Sequence, residues 1–459
     1  MLFSSLTFLF VFLPLLFLVY FLAPFRWLKN TVLFAASLFF YSWGEPIYAI
    51  IMLIMILLNY LFALLISITR YKKITLGCAI VINFFVLFFF KYFNFVMVNL
   101  KFLFGEVSLD VVMPIGISFY TFQIVSYLID VYRKDVKVQK NPIYFGCYVT
   151  LFPQLIAGPI VRYVDIEDAM LHRRMNLTQI SNGVRRFCIG LGKKVILANH
   201  MALIADTIFH PEYSLNFTSA WLGAIAFALQ IYYDFGGYSD MAIGLGKIFG
   251  FDFNENFNYP YISKSITDFW RRWHISLSTW FRDYVYIPLG GNRCSKIRWI
   301  FNMFVVWSLT GLWHGAAWNF VLWGCYFFLI LVVEKLLIGK IIEKVYVVRR
   351  VYALVLVMIG WVIFNGSSVA HISEYLKVMF TAAEPINLMI FKELNYTYII
   401  PYFVLALIGI GPWFKKMFDW MNRCFVVGIV YDLFCLSVLI LCVVLLINDS
   451  YNPFIYFRF

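Results

Sequence analysis

The chain has 459 residues, 63% hydrophobic, 21% aromatic and 13% charged, with 37 Lys and Arg against 24 Asp and Glu. Soluble domains are roughly half apolar and about a quarter charged, so this balance excludes an ordinary soluble enzyme and points to one all-α, polytopic membrane domain, 1–459. The net charge of +13 sits in short loops between apolar runs, a membrane-topology pattern that calls for no nucleic acid.

A bilayer crossing needs about 20 apolar residues. Runs near that length fall at 2–23, 31–44, 47–69, 74–98, 111–132, 187–209, 219–239, 299–333 (long enough for two short passes), 351–364, 398–414 and 425–447, which predicts about 11–12 spans. The first run lacks a basic flank and a small-residue cleavage site, so it reads as a retained span. The eight cysteines lie mostly in or beside these runs without C-x-x-C or metal-ligand spacing. They read as small apolar residues, with neither disulfides nor zinc expected.

Lys and Arg gather at Arg26 and Lys29, Arg70 to Lys73, Arg133 to Lys140, 247–298, Lys335 to Arg350, and Lys415 to Arg423. The intervening loops near 45, 101–110, 210–218, 365–397 and 448–459 are nearly balanced or acidic. The positive-inside rule assigns the first set to the cytoplasm and both termini to the outside. Within 143–162, Pro153, Gly158 and Pro159 interrupt the apolar pattern. Broken backbone at membrane depth survives only inside protein or beside a water-filled cavity, so a re-entrant element and a kinked span are both open.

Asp234 and Asp240 follow an apolar span in LQIYYDFGGYSDMAIGLGKIFGF, 229–251. No P-loop is present, and the two carboxylates are expected to pair with a basic helix further on. That helix is sought in YISKSITDFWRRWHISLSTWFRDYVYIPLGGNR, 261–293. Ser265 and Asp268 have capping-box spacing, and Trp270, Trp273, Leu277, Trp280, Phe281 and Tyr284 recur with helical period. The expectation is an amphipathic helix at the cytoplasmic interface, either a plain anchor or a surface whose Arg271, Arg272 and Arg282 bind phosphates of an acyl donor or an acidic carrier protein. His274 lies within it and can guard the mouth of a tunnel.

The strongest signal is WSLTGLWHGAAWNFVLWG, 307–324. From Trp299 to Val333 the only His, Lys, Arg, Asp or Glu is His314, and an ionisable group inside a membrane run is by default a functional-site hypothesis. Gly311, Gly315, Ala316 and Ala317 permit close approach of backbones or of a thin ligand, and Trp313, Trp318 and Asn319 are candidate tunnel walls. A neutral core histidine bonded to a carbonyl is the alternative. As chemistry, a neutral imidazole can serve as general base, activating a hydroxyl toward a thioester without a covalent enzyme intermediate. No nucleophile elbow and no second histidine at ligand spacing is present, so no metal is expected.

These motifs, with PIGISFYTFQIVSYLIDVYR (114–133) and FPQLIAGPIVR (152–162), resemble the membrane-bound O-acyltransferase family, in the bacterial alginate O-acetyltransferase branch, from about residue 110 to 330. The resemblance implies a helical ring around a tunnel in the bacterial plasma membrane, with His314 as catalytic histidine, His274 as a second tunnel histidine, and no permanently bound cofactor. It also implies acetyl-CoA as donor, a cell-surface polysaccharide as final acceptor, and an extracytoplasmic SGNH-type acetyltransferase as partner. The chain departs from the branch at Phe364-Asn365, where Phe-Arg is usual. Competing readings are a D-alanyl transferase fed by an acyl carrier protein, and a transporter or flippase without covalent chemistry. The tail NPFIYFRF (452–459) carries four aromatics in its last six residues. It is expected either to dock in an apolar groove or to act as an interfacial anchor. A phenol with pKa about 10 is easier to deprotonate than a sugar hydroxyl, and Tyr456 resembles a residue in the small companion peptide of the D-alanine exporter. Tyr456 is therefore the candidate acyl carrier, and that likeness ranks the acetyl reading first.

Overall fold

A computed structural model describes residues 1–105, 107–109, 111–209, 215–339, 346–381, 396–421, 425–448, 451, 452, 454 and 455. Every regular element among them is helical. Six of the described helices are long and apolar enough to cross a membrane: Pro46–Ile68, Lys72–Lys91, Leu177–Phe209, Trp318–Ile338, Val348–Asn365 and Gly428–Asn448. Their outward faces carry large apolar side chains such as Leu57, Phe85, Leu329 and Ile440, a surface suited to lipid and not to water. The chain is an all-α, multi-pass membrane protein that divides into two compact units.

One unit comprises Met1–Phe187 and Met241–Asn254. Asn59 and Asn83, buried on neighbouring helices, exchange side-chain hydrogen bonds of 3.1 and 2.6 Å, the kind of polar contact that fixes helix pairs where water is absent. The run expected at 111–132 becomes a helix only at Ile117, because Gly116 takes a left-handed φ of 76°. A Cβ there would also lie 2.6 Å from the Leu155 carbonyl oxygen, so the position needs glycine. Segment 143–162 is broken: Pro142–Thr150 and Phe152–Leu155 are helical, and the chain then runs on without helix, buried throughout 151–161. Side chains satisfy its backbone: Gln154 donates to the Tyr148 carbonyl at 2.7 Å, Ser37 accepts from the Phe152 N–H at 3.1 Å, and the Tyr148 hydroxyl donates to the Val161 carbonyl at 3.3 Å. That is how irregular backbone persists inside a membrane protein.

The other unit comprises Cys188–Asp240 and Glu255–Phe459. The run at 299–333 forms two helices, Lys296–His314 and Trp318–Val333, joined at Gly315-Ala316-Ala317. A Cβ on Gly324 would sit 2.5 Å from the Trp307 carbonyl oxygen, and one on Gly311 would strike the Phe320 carbonyl. The small residues around His314 therefore bring two backbones together. Helix Tyr346–Asn365 is tied to the second arm by Tyr326 donating to the Leu356 carbonyl at 2.8 Å and Asn319 to the Phe364 carbonyl at 2.7 Å.

The described residues of the tail, 451, 452, 454 and 455, pack into this unit. Phe454 and Ile455 are buried, Tyr451 donates to the Asp206 carboxylate, Asn199 donates to the Asn452 side chain at 3.3 Å, and the Ile455 N–H donates to Asp234 Oδ2 at 2.7 Å. Tyr456 lies outside the described residues.

Candidate active site

The stretch expected to be one amphipathic interfacial helix is two short helices, Ile266–Arg272 and Ile275–Phe281. Ser265 caps the first, accepting from the Asp268 N–H at 3.0 Å, while Asp268 accepts the Lys264 N–H at 3.1 Å. The Glu334 carboxylate takes the N–H groups of Ile266 and Thr267, at 2.8 and 2.9 Å, satisfying first-turn donors that the helix cannot pair itself. Helix stops at Arg272: Trp273 is extended and His274 takes left-handed φ 44° and ψ 54°. Trp273, Leu277, Trp280, Phe281 and Tyr284 are buried in protein. An apolar stripe reads the same whether lipid or protein covers it, so periodicity shows neither the break at Trp273 nor what covers these side chains.

The break opens beside a cavity of about 260 Å³. One wall is a single face of helix Lys296–His314: Met303, Val306, Trp307, Thr310 and His314, at helical spacing. The facing wall, from the broken segment, includes Trp270, Arg271, His274, Ser278 and Arg282, and Lys335 completes it. Lys335 marks the far end. Its ammonium lies 5.2 Å from the Trp299 ring centroid, a residue about 22 Å from His314 along the helix axis.

His314 is ringed edge-on by Trp313, Trp323 and Phe364, with centroids 5.1, 5.1 and 5.2 Å away. His274 is buried, meets Phe235 edge-on at 4.7 Å and Trp313 at 5.7 Å, and places Nδ1 3.1 Å from Asn256 Oδ1. Burial holds its imidazole well below the usual histidine range, and nearby His314 adds to that, so His274 is neutral.

The cavity thus gathers His314, His274, Arg271 and Arg282. Arg272 turns to Asp268 at 2.9 Å and the Asn258 carbonyl at 3.2 Å. Arg282 pairs with Asp283 at 2.7 Å, whereas Arg271 has no ion-pair partner among the described residues. Trp313 bridges the two histidines. Trp318, about half exposed, does not line the cavity, and Asn319 braces Phe364. The expected pairing of Asp234 and Asp240 with the basic segment is corrected: Asp234 meets Lys194 at 2.9 Å and Asp240 meets Lys193 at 2.6 Å. Those lysines sit about two turns inside an apolar run, where desolvation demands a carboxylate close by, while Arg272 and Arg282 find theirs within their own segment.

Sequence reasoning missed Lys335, which it grouped with the basic residues of 335–350 although the helix continues to Ile338. It also missed Asn256, whose only signal is a polar side chain among aromatics in DFNENFNY. The Trp270 indole N–H is buried without an acceptor among the described residues, a property that has no sequence signature.

The profile described as MBOAT, membrane-bound O-acyltransferase family, matches residues 132–372. The chain is 41% identical to the probable alginate O-acetylase AlgI of Azotobacter vinelandii, over 91% of this chain and 86% of that protein. It is 37% identical to the peptidoglycan O-acetyltransferase of Helicobacter pylori, over 71% and 68%. With the teichoic acid D-alanyltransferase of Bacillus subtilis it shares 32% identity, over 46% and 56%.

Proposed function

This chain belongs to the membrane-bound O-acyltransferase family, and from that premise we propose that it is a membrane O-acetyltransferase modifying a polysaccharide. The relatives that match most of the chain are named for O-acetyl transfer, to alginate or to peptidoglycan. The D-alanyl-transferring relative aligns with less than half of it, which ranks that chemistry second.

The observation that carries the mechanism is the shared cavity, with His314 at one level and the cations Arg271, Arg282 and Lys335 on the walls. In the proposed step, acetyl-CoA enters from the cytoplasmic side, its phosphates meet the cations, and its thioester reaches His314. Neutral His314 takes the proton of an acceptor hydroxyl as the oxygen attacks the thioester carbonyl. The C–S bond then breaks, and the CoA thiolate recovers the proton from the imidazolium. The Trp270 N–H is a donor available to the carbonyl oxygen as negative charge develops there.

Transfer is proposed to run outward across the plasma membrane of a bacterium, with both termini outside. Tyr456 is proposed as first acceptor: an aryl ester is a better donor than an alkyl ester, so onward passage to a serine or a sugar is downhill. Burial of Phe454 and Ile455 in the unit that holds His314 supports a docked tail. A secreted SGNH-type acetyltransferase then completes delivery to the polymer. The test is transfer of label from acetyl-CoA by the purified chain, with and without His314.

A further inference from the structure

We propose that Asn256 is a positioning residue that holds His274 as its Nδ1–H tautomer, so that the Nε2 lone pair is offered to a hydrogen-bond donor of the substrate. The proposal rests on the acyl-transfer reading for its kinetic consequences, but its geometry stands alone.

Asn256 is fully buried, and its hydrogen bonds leave no freedom of assignment. Its side-chain oxygen lies 3.3 Å from the Ser276 backbone N–H, which can only donate. The atom facing Ser276 is therefore Oδ1, and the amide group points the other way, donating to Ser239 Oγ at 3.1 Å. The same Oδ1 lies 3.1 Å from His274 Nδ1 and 2.9 Å from the Ser276 hydroxyl. The Ser276 hydroxyl also lies near Nδ1, at 3.5 Å, but its one proton goes to Oδ1 at 2.9 Å, so an oxygen that can only accept faces Nδ1 at closer range and places the proton on Nδ1. Neutral imidazole carries one ring proton, so Nε2, on the opposite edge of the ring, is bare.

That nitrogen is buried and has no hydrogen-bond partner among the described residues, although the His274 side chain is 1% exposed and lines the cavity shared with His314. A buried acceptor left unpaired costs stability and asks for a partner brought by substrate. The fitting chemistry is an O–H or N–H: the acceptor hydroxyl, or an amide of the donor's pantetheine arm. Two further features fix the ring. The Asn256 carbonyl accepts the Ile275 N–H at 2.9 Å, capping the helix that follows His274, and His274 itself is held in a left-handed conformation that side chains rarely adopt.

The groups around His274 that titrate or carry charge are His314 and, along the cavity walls, Arg271, Arg282 and Lys335; Phe235, Phe257 and Trp313 are apolar neighbours. Asn256→Asp keeps every acceptor contact but sets a carboxylate against Nδ1. That raises the affinity of the ring for a second proton, so the neutral form is lost at higher pH. The acidic limb of kcat/KM, followed between about pH 5 and 9, is expected to move up by about one unit or more. Asn256→Ser keeps the backbone cap but removes the Nδ1 acceptor. It is expected to lower kcat about tenfold with the donor KM nearly unchanged. An unmoved limb in the first variant, or wild-type kcat in the second, overturns the proposal. A readout independent of turnover is the ring 15N spectrum of histidine-labelled full-length protein, with His274 assigned by its loss in His274→Gln. Protonated Nδ1 with bare Nε2 is expected, and the reverse tautomer overturns the proposal. An inactive wild type counts against the acyl-transfer reading and leaves this last test in force.

Discussion

Lys194 and Asp234 form an ion pair at 2.9 Å with side chains only 3% and 2% exposed, and the second Asp234 oxygen accepts the Ile455 N–H. Lys194 also lies 5.9 Å from the Phe454 ring centroid. One buried pair thus joins the membrane helices to the chain's own tail. Removing one partner strands a charge, so Asp234→Ala is expected to destabilise the protein by about 3–5 kcal/mol. It should also expose the tail to protease. Thermal unfolding in detergent and limited proteolysis check both, and Lys194→Met added to Asp234→Ala should recover much of the stability but not the tail's protection.

The cations differ in what they are free to do. Arg271 and Lys335 lack carboxylate partners among the described residues, whereas Arg272 is bound to Asp268. Arg271→Gln and Lys335→Gln are each expected to raise the donor KM about tenfold or more, with weaker salt dependence. Arg272→Gln should act mainly on stability. Steady-state kinetics at two ionic strengths distinguishes them.

Much of this site is legible in the sequence. His314 stands alone among apolar residues, and the paired arginines and capping Ser265 are visible in the text. The fold around His274 was not. An aromatic repeat of helical period says nothing about a break that depends on Asn256, eighteen residues earlier, capping the next helix. The partners of Asp234 and Asp240 were misread because proximity in sequence to a basic segment was weighed above the desolvation of two lysines within a span. Segment 143–162 was legible as interrupted, but its satisfaction by Ser37 and Gln154 is a tertiary fact.

Tyr456→Phe keeps an aromatic surface and deletes the hydroxyl. Surface acetylation is expected to be lost while membrane insertion and the buried contacts of Phe454 and Ile455 persist. Acetylation at the wild-type level would reduce the tail to an anchor. Mass spectrometry of the C-terminal peptide after a donor pulse should find the acetyl group on Tyr456.

The proposed division of labour also has a direct check. Polymer acetylation reconstituted in vesicles is expected to require a secreted SGNH-type enzyme in addition to this chain. Full acetylation by the chain alone would remove the need for that partner.

In the proposed mechanism His314 drives acetyl transfer from acetyl-CoA. Purified wild-type protein and His314→Ala, matched for unfolding temperature, are incubated with radiolabelled acetyl-CoA, and label is measured in base-labile ester on the chain or on an added hydroxyl acceptor. Wild type is expected to form the ester, and His314→Ala to form it at least about a hundredfold more slowly. Equal transfer by the two proteins, or label that stays on CoA while a D-alanyl carrier protein supports transfer, would contradict it.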